Sequence, residues 1–240
     1  MSVVRIYDIN GNELDYDNYN LIGAGTRSQI FESKKENEND KQTILKVYES
    51  YLSRDLTINE QVFDELKDID TYTLPKLGEK YYDTPKRKRF LRTVRGYTAE
   101  KIDKDYIDLL SADPEFVAEK VMGNLSVLAG ELGNRKIKMD TDLESGDLII
   151  NKNGAFIVDI DLFEKKRNMT KDECTRMNKK LALYYLKSLV FEYAYHRHDL
   201  CDRSEQINEL FSIDVTNNVD LTSSLYKKLR NKPIIDHLKK

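Results

Sequence analysis

Residues 22–48 constrain the fold of this chain more than any other stretch. Ile22-Gly23-Ala24-Gly25-Thr26-Arg27-Ser28-Gln29-Ile30-Phe31 sets two glycines between strand-like runs, and Ile44-Leu45-Lys46-Val47-Tyr48 follows as an apolar strand with a single lysine. A glycine pair that opens a helix would suit dinucleotide binding; here a strand comes next, which excludes that reading. Without a Cβ, Gly23 and Gly25 let backbone N–H groups come close to anionic oxygens, although a plain tight turn has the same signature. Ser28 stands where the third glycine of such a loop falls, and Phe31 is either a lid over the turn or a core residue.

The pattern changes in character near Gly96. Before it, alternation predicts short strands at Val3 to Tyr7 and Tyr19 to Ile22 around a Gly11-Asn12 turn, a hairpin of Gln29 to Ser33 with Thr43 to Tyr48, and a strand pair Leu74 to Tyr82 and Arg89 to Val94. One helix, Leu56 to Ile69, interrupts them, with Ile58, Val62, Leu66 and Ile69 at helical spacing and Thr57 as its expected cap. Beyond Gly96 the chain reads as mainly helical. Asp113-Pro114 starts a helix, Val117, Val121, Leu125, Leu128 and Leu132 form its apolar stripe, and Gly133 is expected to end it. Leu148 to Ile150 and Ala155 to Val158 flank Asn151-Lys152-Asn153-Gly154 as a hairpin. A long helix is expected over Asp172 to His198, with shorter ones at Glu205 to Phe211, Leu221 to Leu229 and Pro233 to Leu238. The fold class is therefore α+β: an antiparallel β lobe over residues 1–95, a helical lobe over 96–240, and a hinge near 93–97.

Composition excludes several functions. In 240 residues, 34% are charged yet the net charge is only −3, so the charges form a mixed solvated surface and nucleic-acid binding is not indicated. The basic run Lys86-Arg87-Lys88-Arg89 reads as a solvated turn or a docking patch for an acidic partner. Cys174 and Cys201 fit neither a metal spacing nor a disulfide framework, which suits reduced thiols in a cytosol. No stretch approaches the roughly 18–20 apolar residues of a membrane span, and a monomer is expected. His196 and His198, two apart on a helix, point to different faces and make a poor zinc pair.

The remaining candidates are charged residues in apolar company. Lys46 would face a cleft and neutralise phosphates, with Ile44 on the same strand face above a base. Glu60 is the expected carboxylate partner of Lys46, with Asp64 and Glu65 as competitors. Asp142 and Asp147 lie five apart in an acidic loop with Asp140 and Glu144; the resemblance set out below implies Asp142 as the base and Asp147 as a metal ligand. Asp159, at the end of an apolar strand, is the second expected metal ligand, and Asp161 takes that role if the register slips by two.

Together these segments resemble the protein-kinase fold over roughly residues 19–200. The nearest resemblance is to the small bacterial effector kinases of the OspG/NleH type. It rests on Leu21 to Glu32 as a glycine loop, Phe90 to Gly96 as a hinge, and Thr141-Asp142-Leu143-Glu144-Ser145-Gly146-Asp147 as a catalytic loop. The sequence departs from the kinase pattern at Ser28, at Asp140 for histidine, at Asp147 for asparagine, and at Ile160-Asp161 after the metal aspartate. The resemblance implies a bilobal fold, ATP and Mg²⁺ as cofactors, and transfer of phosphate to Ser or Thr hydroxyls of a protein substrate. It implies no phosphorylation-controlled activation loop. It also implies secretion by bacteria into a host cytoplasm, and ubiquitin or a ubiquitin-loaded conjugating enzyme as a partner. Two other readings share these residues: a pseudokinase acting as a binding module, and a small-molecule phosphotransferase.

Overall fold

The computed structural model describes residues 4–35, 42–53, 56–71, 73–85, 92–103, 107–141, 147–197, 199–215 and 219–239. The fold is α+β, with a five-stranded antiparallel sheet and several helices. It divides into two compact units: residues 1–69, 75–102 and 161–163 form the first, and 70–74, 103–160 and 164–240 the second.

The first unit is the sheet with one helix. Strands β1 (Tyr19–Ala24), β2 (Ser28–Ser33), β3 (Thr43–Tyr48), β4 (Leu77–Tyr82) and β5 (Val94–Glu100) lie in the order β1-β2-β3-β5-β4, and helix α1 (Glu60–Lys67) falls between β3 and β4 in sequence. Alternation sends Phe31, Leu45, Val47 and Tyr81 to one face, where they close on Ile6 as a core. Phe31 is thus core, tilted against Tyr16 at 5.1 Å between ring centroids. Tyr7 makes isolated bridges to Glu13 and Tyr82, so the strand expected over Val3 to Tyr7 is not among the described residues.

Three local expectations change for physical reasons. Helix α1 starts at Glu60, not Leu56, because the Asn59 side chain accepts the Gln61 and Val62 N–H groups and so replaces Thr57 as the cap. The expected hinge at 93–97 is largely strand, and the chain leaves the first unit only after Ile102. Gly96 marks a close approach within that strand: a Cβ there would meet the Lys46 carbonyl oxygen at 2.7 Å. Gly133 does not end its helix, which runs on to Asn134; it is bare because Thr175 packs against it.

The second unit is mainly helical. Asp113 caps the start by accepting the Glu115 and Phe116 N–H groups. The chain then runs as a π-helix over Phe116–Met122 and continues as α2 (Gly123–Asn134). Val117, Val121, Leu125, Leu128 and Leu132 are fully buried along this run. Short strands β6 (Ile137–Lys138) and β9 (Glu164–Lys165) pair, and β7 (Leu148–Asn151) with β8 (Gly154–Ile157) form the expected hairpin, its turn closed by Gly154 at φ 125°. Helix α3 (Lys171–Tyr195) starts with a reciprocal capping box between Thr170 and Glu173. Helices α4 (Ser204–Leu210), α5 (Leu221–Leu229) and α6 (Ile234–Leu238) follow. Among the described residues no helix is long and apolar enough to cross a membrane.

Candidate functional site

The sheet aligns one cross-strand rung through all five strands: Gly23 with Ile30, Ile30 with Lys46, Lys46 with Tyr97, and Tyr97 with Lys80. Partners in a rung share a face, so Lys46 points away from the Phe31–Leu45–Val47 core. Helix α1 packs on the Lys46 face, where Phe63 meets the Tyr97 ring at 5.4 Å. Ile44 lies two residues from Lys46 on that face, opposite Ala99.

The glycine turn joins β1 to β2 by a hydrogen bond from Gly25 N to Ser28 O of 2.8 Å. It is tied down from outside: Glu49 N donates to Arg27 O, and the Tyr51 hydroxyl donates to Thr26 O. A bulge between Leu21 and Gly23 leaves Ile22 outside the register. Neither glycine adopts positive φ. An added Cβ would find only ordinary contacts, Ile30 Cβ at 3.9 Å from Gly23 and Ser28 O at 3.8 Å from Gly25. The fold itself therefore does not need glycine at either position.

Lys46 is buried and its ammonium lies 2.7 Å from Asp161 Oδ2, with both side chains under a tenth exposed. The other Asp161 oxygen accepts from the Tyr48 hydroxyl at 2.5 Å and, more distantly, from the Tyr97 hydroxyl at 3.5 Å. Lys46 also lies over the Tyr48 ring, 5.9 Å from its centroid. Sequence reasoning weighed Asp161 only as an alternative metal ligand and overlooked Tyr48. Alternation alone places Tyr48 on the Lys46 face, but no spacing rule ties either residue to a carboxylate so far along the chain.

Glu60 is not the partner of Lys46. Its carboxylate accepts from the Tyr82 hydroxyl at 2.7 Å and pairs with Lys80 at 3.1 Å, while Asp64 takes the same ammonium at 2.7 Å. Lys80 takes it because α1 lies against β4, the strand that carries Lys80. Burial pushes the Glu60 carboxyl up, but the Tyr82 hydroxyl and the Lys80 ammonium outweigh it and hold the group below its ordinary value. Burial, then the Glu60 hydrogen bond, pushes the Tyr82 phenol up. Glu65 accepts instead from Gln61 on its own helix.

In the second unit, Asp147 and Asp159 come to the same open end of the β7–β8 hairpin, where Val158 N donates to the Asp147 carbonyl at 2.8 Å. Both are half-buried. The Tyr185 hydroxyl of α3 donates to the Asp140 carbonyl, pinning the chain just before the acidic loop. Asp142 and Glu144 lie outside the described residues, as do Lys86-Arg87-Lys88-Arg89 and His198. Among the described residues no three His, Cys, Asp or Glu side chains gather as a metal site. No protein-family model matches this chain, and no curated protein matches it significantly.

Proposed function

We propose that this chain is an ATP- and Mg²⁺-dependent kinase of the protein-kinase kind, transferring phosphate to Ser or Thr hydroxyls of a protein substrate. One observation carries the reading. A buried lysine held by a carboxylate shares a sheet rung with a glycine turn whose glycines the fold does not require. Glycine in a strand weakens it, so glycines without an internal reason favour close approach by an outside group. The placement of the glycine turn between β1 and β2, of Lys46 on β3, and of a helix between β3 and β4 also supports a kinase small lobe.

The residues present fit this chemistry. Lys46 is a donor suited to phosphate oxygens, Gly23 and Gly25 leave room for such a group to approach the turn, and Asp147 and Asp159 are hard oxygen ligands suited to Mg²⁺. Bound Mg²⁺·ATP would supply the phosphoryl group and the charge that bridges its oxygens. Asp161 keeps the Lys46 ammonium in place, and Asp142 is the residue to accept the proton of the substrate hydroxyl. Positioning and charge neutralisation then supply most of the acceleration.

A second reading, a nucleotide- or partner-binding module without transfer, is favoured by the state of Asp161, whose two oxygens are already engaged by Lys46 and Tyr48. Intact mass spectrometry and γ-labelled ATP separate the two, with wild type compared against Lys46→Met and Asp159→Ala. Label transferred to the chain itself or to a protein acceptor by wild type alone supports the kinase. ATP binding by calorimetry with no transfer supports the module, and no ATP binding at millimolar concentration removes both.

A further inference from the structure

We infer that Tyr51 is a positioning residue for the glycine turn: its hydroxyl sets where the tip of the turn stands when the phosphates of a nucleoside triphosphate approach. The inference rests on the reading of this turn as a phosphate site, and it adds a residue that lies outside the sequence pattern behind that reading. The turn has little of its own to hold it. One internal hydrogen bond, Gly25 N to Ser28 O, closes it, and neither Gly23 nor Gly25 has a side chain to anchor. Two carbonyls at the tip are instead taken by the segment that follows β3. Glu49 N donates to Arg27 O at 2.9 Å, and the Tyr51 hydroxyl donates to Thr26 O at 2.8 Å.

That segment is itself fixed from several sides. Leu52 N donates to Glu49 O at 3.2 Å and closes a four-residue turn, and the Arg95 guanidinium of β5 donates to the same carbonyl at 3.1 Å. Leu52 is buried, and Gln29 of β2 reaches the Glu49 carboxylate at 3.5 Å. The Tyr51 ring, by contrast, is 72% exposed. An exposed ring gains little from burial, so what Tyr51 supplies is its hydroxyl, a donor carried by one fixed turn to the tip of another. A hydrogen bond open to water adds little to global stability. By keeping a loop tip in one place, it lowers the entropy cost of ordering that tip when a ligand binds.

The test compares the full wild-type chain with Tyr51→Phe and Tyr51→Ala. Without nucleotide, hydrogen exchange in peptides spanning residues 22–31 should be faster in both variants by about threefold or more, with melting temperatures within about 2 °C of wild type. Mg·ATP affinity, read by calorimetry, should fall by a similar factor and equally in the two variants, because the ring adds nothing. Unchanged exchange at the turn overturns the proposal. A loss in Tyr51→Ala alone also overturns it, since the ring and not the hydroxyl would then act. So does a drop of several degrees in Tyr51→Phe, which marks an ordinary structural bond. Wild type that binds no ATP removes the phosphate reading itself, whereas wild type and variants that bind ATP equally remove only the role of Tyr51.

Discussion

The Tyr48 hydroxyl donates to Asp161 Oδ1 across 113 residues of sequence, on the carboxylate whose other oxygen holds Lys46. The lysine strand thus supplies two of the groups that hold Asp161, and each is buried.

That pairing predicts a strong non-additivity. Lys46→Met should lower stability by about 3–5 kcal/mol, because it strands a buried carboxylate, and Asp161→Leu should do the same to the ammonium. The double variant should recover much of the loss. Urea unfolding of the four proteins measures this, and additive losses would show that the two side chains do not depend on each other.

Glu60 predicts an acid-sensitive term. Its carboxyl is held below its ordinary value in the folded chain, so its contribution is present above the unfolded value and is lost as pH falls through the folded one. The melting-temperature difference between wild type and Glu60→Gln should be largest near neutral pH and vanish between about pH 5 and pH 3. The term is small, below about 1 kcal/mol, because the pair is half-exposed. A difference that grows in acid would contradict the assignment.

At Gly133 a Cβ would stand 1.9 Å from Thr175 Oγ1 and 2.7 Å from Thr175 Cα. Gly133→Ala must therefore push α2 from α3, since a backbone atom cannot rotate away. A loss of about 1–3 kcal/mol or more is expected in chemical denaturation. Gly130→Ala, on the same helix with nothing within 4 Å of its Cβ, should be neutral or stabilising.

The two cysteines should separate by reactivity. Cys174 is buried and hydrogen-bonded to the Ile137 carbonyl, and burial pushes its thiol up despite Lys165 and Lys166, whereas Cys201 is exposed. Ellman's reagent should titrate one thiol promptly in the native chain and a second only on unfolding. Two fast thiols would contradict the burial of Cys174.

Much of the fold could be read before the structure because the signals were local. Strands β2, β3, β7 and β8 begin and end within one residue of their expected bounds, Asp113 caps through its own next residues, and α3 opens within one residue of its expected start. The strict four-residue spacing of Val117, Val121 and Leu125 showed a buried stripe, but not that this segment takes the wider π turn. The glycine turn and Lys46 were also legible, since both lie in one hairpin-length stretch. What joined them was not. The position of Glu60 on the helix suggests a partner for Lys46, yet packing decides the matter: α1 lies against β4, whose Lys80 takes the carboxylate. Gly96 was read as a break because a glycine that bends the chain and one that admits a neighbouring backbone look identical in one dimension.

The place of Asp161 in the chain has a consequence for synthesis. All five strands and the helix of the first unit have been made by Ile102, but the carboxylate that neutralises Lys46 emerges only after residues 103–160. Until then the lysine strand lacks that counter-charge, and burying an ammonium without one is costly. On the ribosome the small unit stays open to water at Lys46 while most of its hydrogen-bond ladder can already form. Its completion waits for a three-residue segment, 161–163, that follows the β7–β8 hairpin in sequence.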